Sequence, residues 1–361
     1  MSSPAADPST SCALGDHPLP SAQRSALAEA DELAGFGTDV SATLAWAIGV
    51  GAARDDDRSL ADDWSFLAAV AERDVAAARI LEPHLDALDI LDQAQHAAVG
   101  PDLEAIGAGP GSSWGVFAAE GAGVRLDARD DGPGWLLTGT KPWCSLAQHL
   151  THALVTAWVG DERRLFAVAL RGPAVSPHDG PWHARGLRQV VSAPVDFASA
   201  PAVPVGEPGW YLRRPGFAAG GVGVAACWWG GALPLRAALL AAAQRDGADQ
   251  LSRLHLARVD TALWAARLAL RSAADQMDAA PAASDRAPDP GILAARVRAI
   301  VAGAVETTLA ESARALGPLP LVADDAHARR VADLGIYLRQ HHGERDLARI
   351  GADLGQGRGA W

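Results

Sequence analysis

The sequence predicts an α+β chain of several domains: an N-terminal helical region, a central antiparallel β barrel or sandwich, and a C-terminal four-helix bundle. Three observations predict it. Apolar residues recur at helical spacing up to about residue 105. Between Trp114 and Trp210 they fall into short runs bounded by Gly, Pro and Asp. After Arg214 long helical patterns return and persist to the end. At 361 residues the chain has length for two or three domains.

Residues 1–21 carry Ser, Pro and Asp with no basic start and no apolar core, so they read as a disordered tail rather than a signal or transit peptide. In the helical domain expected at 22–110, Leu27, Leu33, Leu44 and Ile48, then Phe66, Leu67, Val70, Val75, Ile80 and Leu81 mark helix faces. Asp74 is placed to cap a second helix within WSFLAAVAERDVAAARILEPHLDALDIL. The Gly-, Pro- and Ser-rich loop Gly107 to Ser113 marks a boundary. The β domain, 111–213, holds WGVFAA, VRLDA, GWLLTG, HALVTAWV, LFAVAL and VDFA. With no helical period between them, these six or more strands should pair antiparallel. The bundle, 214–361, should comprise helices near Gly220 to Arg245, Asp249 to Met277, Gly291 to Leu316 and Asp324 to Ile350, joined by PAASDRAPDPG and GPLPL.

A net charge of -12 argues against nucleic acid, which needs a dense cationic face. Of the 31 Lys and Arg residues only Lys141 is lysine, a bias that removes the usual meaning of arginine enrichment. Cys12, Cys144 and Cys227 are too few and too scattered for a disulfide framework or a zinc site, so no metal and a reducing cytoplasm are expected. Pro215 to Leu235 is uncharged and just long enough to span a bilayer. Its six glycines and sparse large aliphatics argue against a membrane span.

Chemistry concentrates in two segments, GWLLTGTKPWCSLAQHLTHALVTA (134–157) and DLGIYLRQHHGERDLARIG (333–351). On a strand Trp143 and Ser145, two apart, share a face. Taken alone they read first as a half-buried Trp beside an ordinary Ser. Gly111-Ser112-Ser113-Trp114-Gly115 fits the nucleophile elbow G-x-S-x-G, but no apolar strand precedes it and no helix follows, so Ser113 is expected to be dispensable.

These segments stand in collinear order with AERDVAAARILEPHLDAL, HARGLRQVVSAPVDFASAPAVP, GWYLRRPGFAAGGVGVAACWWGGA and LHLARVDTALWAARLALRSAADQMD, from about Leu60 to Gly351. In that order the chain resembles the acyl-CoA dehydrogenase family, as a divergent, shortened member. The resemblance implies FAD, with the Trp143 indole and the Ser145 hydroxyl against the flavin ring. It implies α,β-dehydrogenation of an acyl-CoA thioester, an electron-transfer partner, and a homodimer or homotetramer. The apolar, glycine-rich face Ala218 to Leu233, with Trp228 and Trp229, then serves either subunit contact or burial within the bundle.

The chain also departs from the family. Where the family's flavin loop carries Ser and Thr donors this sequence reads WGVFAAEGAG, leaving Trp114 as a compensating stacking residue. The family's Tyr-Glu pair, whose carboxylate is the base, aligns with Gln340 and His341, and Glu344 lies one turn later. The alternative base position falls near Gly220. His341 and Glu344 are therefore the candidate catalytic residues. A neutral imidazole accepts a proton near neutral pH. The bland alternative makes His341, His342, Glu344 and Arg345 a solvated helix face. A flavin-dependent oxygenase of the same fold and a non-catalytic subunit of a heteromeric dehydrogenase are the alternative functions. Arg213, Arg214, Arg253 and Arg258 are candidate CoA-phosphate partners. No motif reports the acyl group.

Overall fold

The computed structural model describes residues 12–54, 58–132, 134–279 and 289–358. Four helices come first: α1 (Ser21–Glu32), α2 (Val40–Ala52), α3 (Leu60–Arg73) and α4 (Val75–His96). Their starts follow local chemistry. Asp39 accepts from the amides of Ser41 and Ala42, Ser59 and Asp62 form a capping box, and Asp74 accepts from the Ala77 amide at 2.9 Å. The expected disordered tail is corrected from Cys12 onward; residues 1–11 lie outside the described residues. Cys12 and Leu14 are fully buried, the Leu14 amide donates to Ser65 Oγ at 2.9 Å, and Arg267 donates to the Ala13 carbonyl. Two or three apolar side chains within a Ser- and Pro-rich stretch are enough to anchor it once a groove is there to receive them.

Seven strands follow: β1 (Trp114–Phe117), β2 (Leu126–Asp130), β3 (Trp135–Ser145), β4 (His152–Val159), β5 (Glu162–Ala169), β6 (Val175–Pro177) and β7 (Ser192–Val205). Five of them close into a ring in the order β4-β2-β3-β7-β5 and back to β4. The expectation of a wholly antiparallel sheet is corrected: β1 runs parallel to β4 from Trp114↔His152 to Phe117↔Val155, and β2 meets β4 in parallel at Asp127↔Trp158. Alternation identifies a strand but not its neighbour's direction, because a β1–β4 pairing skips two intervening strands.

After the one-turn α5 (Trp210–Arg213) come α6 (Phe217–Ala243), α7 (Gln250–Ala279), α8 (Pro290–Leu316), the short α9 (Leu319–Ala323), α10 (Asp325–Tyr337) and α11 (Glu344–Gly355). The expected single helix from Asp324 to Ile350 is broken. A 3-10 turn at Leu338–Gln340 leads into His341, which is extended, and Gly343 sits at φ 54. The fourth partner of α6, α7 and α8 is consequently α3, packed on α6, while α10 lies against α4 and α6 and α11 against α8. Small residues permit the α3–α6 approach: a Cβ on Gly230 would stand 2.1 Å from the Ala68 carbonyl oxygen. Helix α6 is the one described helix long and apolar enough to cross a membrane. Trp228 and Trp229 are buried inside this chain, with Trp229 Nε1 donating to the Leu263 carbonyl at 3.0 Å.

Two ties fix the last helices. Arg330 donates to the carbonyls of Ala71, Glu72, Arg73 and Gly231, capping the free C-terminus of α3. Asp333 accepts from the Leu187 amide, and at Gly186 a Cβ would lie 1.9 Å from the Ala332 carbonyl oxygen. The HARGLRQ segment thus rests on α10.

Candidate functional site

The site starts at an irregularity in β3. Its register with β7 shifts between Lys141 and Cys144, and Trp143 is held at φ 60. Such a bulge re-aims side chains, so Trp143 and Ser145 do not share a face by simple alternation. The Trp143 indole is 59% exposed, whereas Ser145 is turned inward opposite Ser192. Lys141, fully buried, donates to Glu120 at 2.8 Å and Thr156 at 2.9 Å, tying the bulge to the barrel. Gly121 of WGVFAAEGAG lies against Pro142, where a Cβ would approach Cγ at 3.0 Å. The loop and the Trp143 bulge are therefore neighbours.

From Ser145 a line of polar groups runs into the helices. Arg79 on α4 donates to Ser145 Oγ at 2.9 Å, and Ser145 shares a hydrogen bond of 2.6 Å with Ser192. The Gln340 amide, with its oxygen turned toward the guanidinium, accepts from Arg79 at 3.1 and 3.2 Å. On the other side Arg79 Nη1 stands 3.8 Å from Glu82 Oε2. Pro83 has no amide hydrogen, so the helix ladder is interrupted beside Glu82. Glu82 is buried and burial raises its pKa to about 7.

His341 lies in the break between α10 and α11. Its ring packs edge-on to Trp228 at 6.2 Å, and its Nδ1 is 3.6 Å from Asp346 Oδ2. Burial, then the Arg298 guanidinium, lowers its pKa, so the imidazole is neutral at pH 7. Arg298 stacks over Trp228 at 4.8 Å and donates to the Gln340 carbonyl at 3.1 Å. Three buried polar atoms of this cluster have no hydrogen-bond partner: Arg79 Nη1, Trp228 Nε1 and His341 Nδ1.

Glu82 also faces a cavity of about 940 Å³ enclosed by α1, α2, α3, α4 and α6. Its walls include Trp64, Leu67 and the glycines Gly220 and Gly223. Three arginines there are paired: Arg54 with Asp89 and Asp92, Arg58 with Asp63 and Asp89, and Arg214 with Asp86 at 3.0 Å. Burial raises Asp63 to about 6 against the opposing pull of Arg58, and raises Asp86 and Asp89 as well.

Of the residues singled out in the sequence, Trp143, Ser145, Gln340 and His341 come to one region. Trp114 does not. It is buried beneath β4, packed on His152 at 5.0 Å, and its amide donates to His84 Nδ1, a histidine that burial keeps neutral down to about pH 4. Parallel pairing of β1 with β4 turns that indole into the core. Glu344 is exposed at the start of α11, and Asp346 takes the place beside His341. The break at Gly343 also removes the solvated helix face. Ser113 is buried and bonded to Thr151, with β1 rather than a helix after it. Arg214 is buried against Asp86, Arg213 donates to the Pro208 carbonyl, Arg258 pairs with Glu311, and Arg253 is exposed. At Gly220 the room left by the missing side chain is taken by Asp86, whose Oδ1 would be 2.8 Å from a Cβ.

Sequence reasoning missed Arg79, Glu82, Asp86 and Asp89. A signal existed: they recur at i, i+3, i+7 and i+10, a charged stripe on a helix whose other residues are mostly buried.

No protein-family model and no curated protein matches the sequence. Solved structures do. KijD3, in complex with FMN and dTDP-3-amino-2,3,6-trideoxy-4-keto-3-methyl-D-glucose, is 21% identical over 96% of each chain, with a TM-score of 0.79. Nitrososynthase from Micromonospora carbonacea var. africana is 20% identical over 95% of this chain and 99% of its own, TM-score 0.74. Butyryl-CoA dehydrogenase from Megasphaera elsdenii is 17% identical over 94% of this chain and 100% of its own, also TM-score 0.74. The fold is thus shared along nearly the whole length, and it is that of the acyl-CoA dehydrogenases and of the enzymes built like them.

Proposed function

We propose that this chain is a flavin-dependent oxidoreductase. The observation that carries the reading is the Trp143 bulge, which presents a large exposed indole face beside the glycine loop at Gly121 and next to Ser145. An aromatic face left in water is a natural platform for a flat ring system. The Trp143 indole would hold the flavin, Ser145 would brace the bulge from its inner side through Ser192 and Arg79, and the backbone of the 118–123 loop would replace the missing Ser and Thr donors. FAD, expected from the resemblance, and FMN, bound in KijD3, are both tested below. When bound, flavin supplies the two-electron chemistry. The protein's own part is to keep the Ser145–Arg79–Glu82 line in register and to hold a neutral imidazole at His341.

Two reactions remain in view, acyl-thioester dehydrogenation and flavin-supported oxygenation. The second is favoured by a specific observation: the family's carboxylate position is occupied by His341, a neutral imidazole beside Asp346. Dehydrogenation would need Glu82 or Asp86 as its base. We assign the protein to a reducing cytoplasm, in keeping with three cysteines not joined by disulfides. We also propose a homo-oligomer. Trp264 and Leu268, exposed on α7, support this, while the Trp228–Trp229 face is used up inside the chain. An electron-transfer partner belongs to the dehydrogenase reading only.

The test is reconstitution with FAD and with FMN. Flavin absorbance should appear in the wild type and be lost in Trp143→Ala with little change in melting temperature, because an exposed side chain contributes about 0.5 kcal/mol or less to stability. Bleaching by an acyl-CoA without oxygen would restore the dehydrogenase reading. Oxygen-dependent turnover after chemical reduction would support the oxygenase. Failure to retain either flavin would leave a non-catalytic subunit.

A further inference from the structure

We propose that Glu82 and Arg79 form a positioning relay, in which the proton state of the cavity carboxylate sets where Ser145 and Gln340 stand on the two sides of the Trp143–His341 site. The argument is one of shared donors. The Arg79 guanidinium carries its N–H groups in one rigid plane and divides them among Ser145, Gln340 and Glu82. Nη2 donates to Ser145 Oγ at 2.9 Å, and Nη2 and Nε reach the Gln340 amide oxygen at 3.2 and 3.1 Å. Nη1 makes no hydrogen bond, and its counterion is Glu82, 3.8 Å away. A rigid fork cannot move toward one partner without leaving another. The pull of Glu82 is therefore felt at Ser145 on β3 and at Gln340, the residue before His341.

The carboxylate is placed to change state. Glu82 lines the cavity, where it can exchange a proton with solvent, and burial holds its pKa at about 7 against the pull of Arg79. The groups around it do not share that titration. Asp86 on α4 keeps Arg214 at 3.0 Å, and Arg298 on α8 donates to the Gly221 and Gln340 carbonyls. Burial raises the Cys227 thiol on α6 and the phenols of Tyr211 on α5 and Tyr337 on α10, so all three stay protonated. His341 titrates below its ordinary range. As the pH falls through about 7, Glu82 becomes neutral, Arg79 loses its counterion, and its charge is left to Ser145 and Gln340. That this face takes flavin rests on the reading above; the relay itself does not.

Fluorine NMR of the flavin-free chain labelled with fluorotryptophan tests this, with Trp143→Phe identifying the resonance of the exposed indole. In the wild type that resonance should shift with a midpoint near pH 7. Glu82→Gln, a change of similar shape with no proton to lose, should abolish the shift. Ser145→Ala, which cuts the link to β3 and leaves the ion pair in place, should diminish it. A Trp143 resonance that stays still between about pH 5.5 and 8.5 would overturn the proposal, and so would an unchanged titration in Glu82→Gln. Should Glu82→Gln not fold, Ser145→Ala decides, and an undiminished shift there overturns the relay. A Trp143 titration in a protein that never takes up flavin would defeat the flavin reading only. A flavoprotein whose Trp143 resonance does not titrate would defeat this proposal only.

Discussion

The start and the middle of α6 use glycine in opposite ways. Near its middle, Gly230 brings the backbone onto Ala68 of α3, and Gly231 meets Val75 and Leu334, so the seam is closed and uncharged. About two to four turns earlier, Gly216, Gly220 and Gly223 line the cavity, and the space a side chain would fill at Gly216 and Gly220 is taken by Gln93 and Asp86 of α4. A missing side chain makes either a contact or a room. What faces it decides: the Ala68 backbone closes the gap, whereas charged side chains hold it open through ion pairs.

The largest effect should come from breaking the open start. Arg214→Ala leaves Asp86 buried without its partner, and a loss of about 3 kcal/mol in urea unfolding is expected. Next is the closed middle. Gly230→Ala places a methyl against backbone that cannot yield, for a loss of about 2 kcal/mol with the helix content unchanged by circular dichroism. Glu82 sharpens the contrast through pH. Its folded pKa, about 7, is above the ordinary 4.5, so folding favours the neutral acid. That stability is complete below about pH 4.5 and is lost as pH rises through 7. Comparing denaturation curves across this range, Glu82→Gln should flatten the decline and gain on the order of 2 kcal/mol over the wild type above it. The smallest effect belongs to Gly221→Ala. There a Cβ meets Arg298 only at ordinary contact distance, 3.9 Å, so a gain of about 0.5–1 kcal/mol is expected from helix propensity. A loss instead would mean that the seam extends further along α6 than its contacts indicate.

Much of the fold could be read from the sequence because period and punctuation are local. Asp74 does cap α4, the first three of the four expected C-terminal helices begin and end within a few residues of their expected places, and the strand runs are strands. The break at His341–Gly343 was written in a glycine that the helical pattern on both sides concealed. Trp143 and Ser145 could be picked out by motif, but their orientations could not, because a bulge reverses what alternation implies. Trp114 was misread for a similar reason: its role follows from which strand it pairs with. Cys12 and Leu14 sit in a stretch whose composition argues for disorder, and they are held by α3 and α7 from far along the chain.

What the sequence by itself determined is the order and kind of elements, the acidic balance of charge, and the motif that marks the Trp143 bulge. These depend on residue type and near-neighbour spacing. Only the tertiary structure decided that α3 completes the packing around α6, that five strands close into a ring, and that Arg79 and Glu82 join Ser145 to a charged cavity. The physical reason is that burial, pairing and pKa belong to groups distant in the chain: a carboxylate on α4 is an ordinary surface charge until α3 and α6 remove its water.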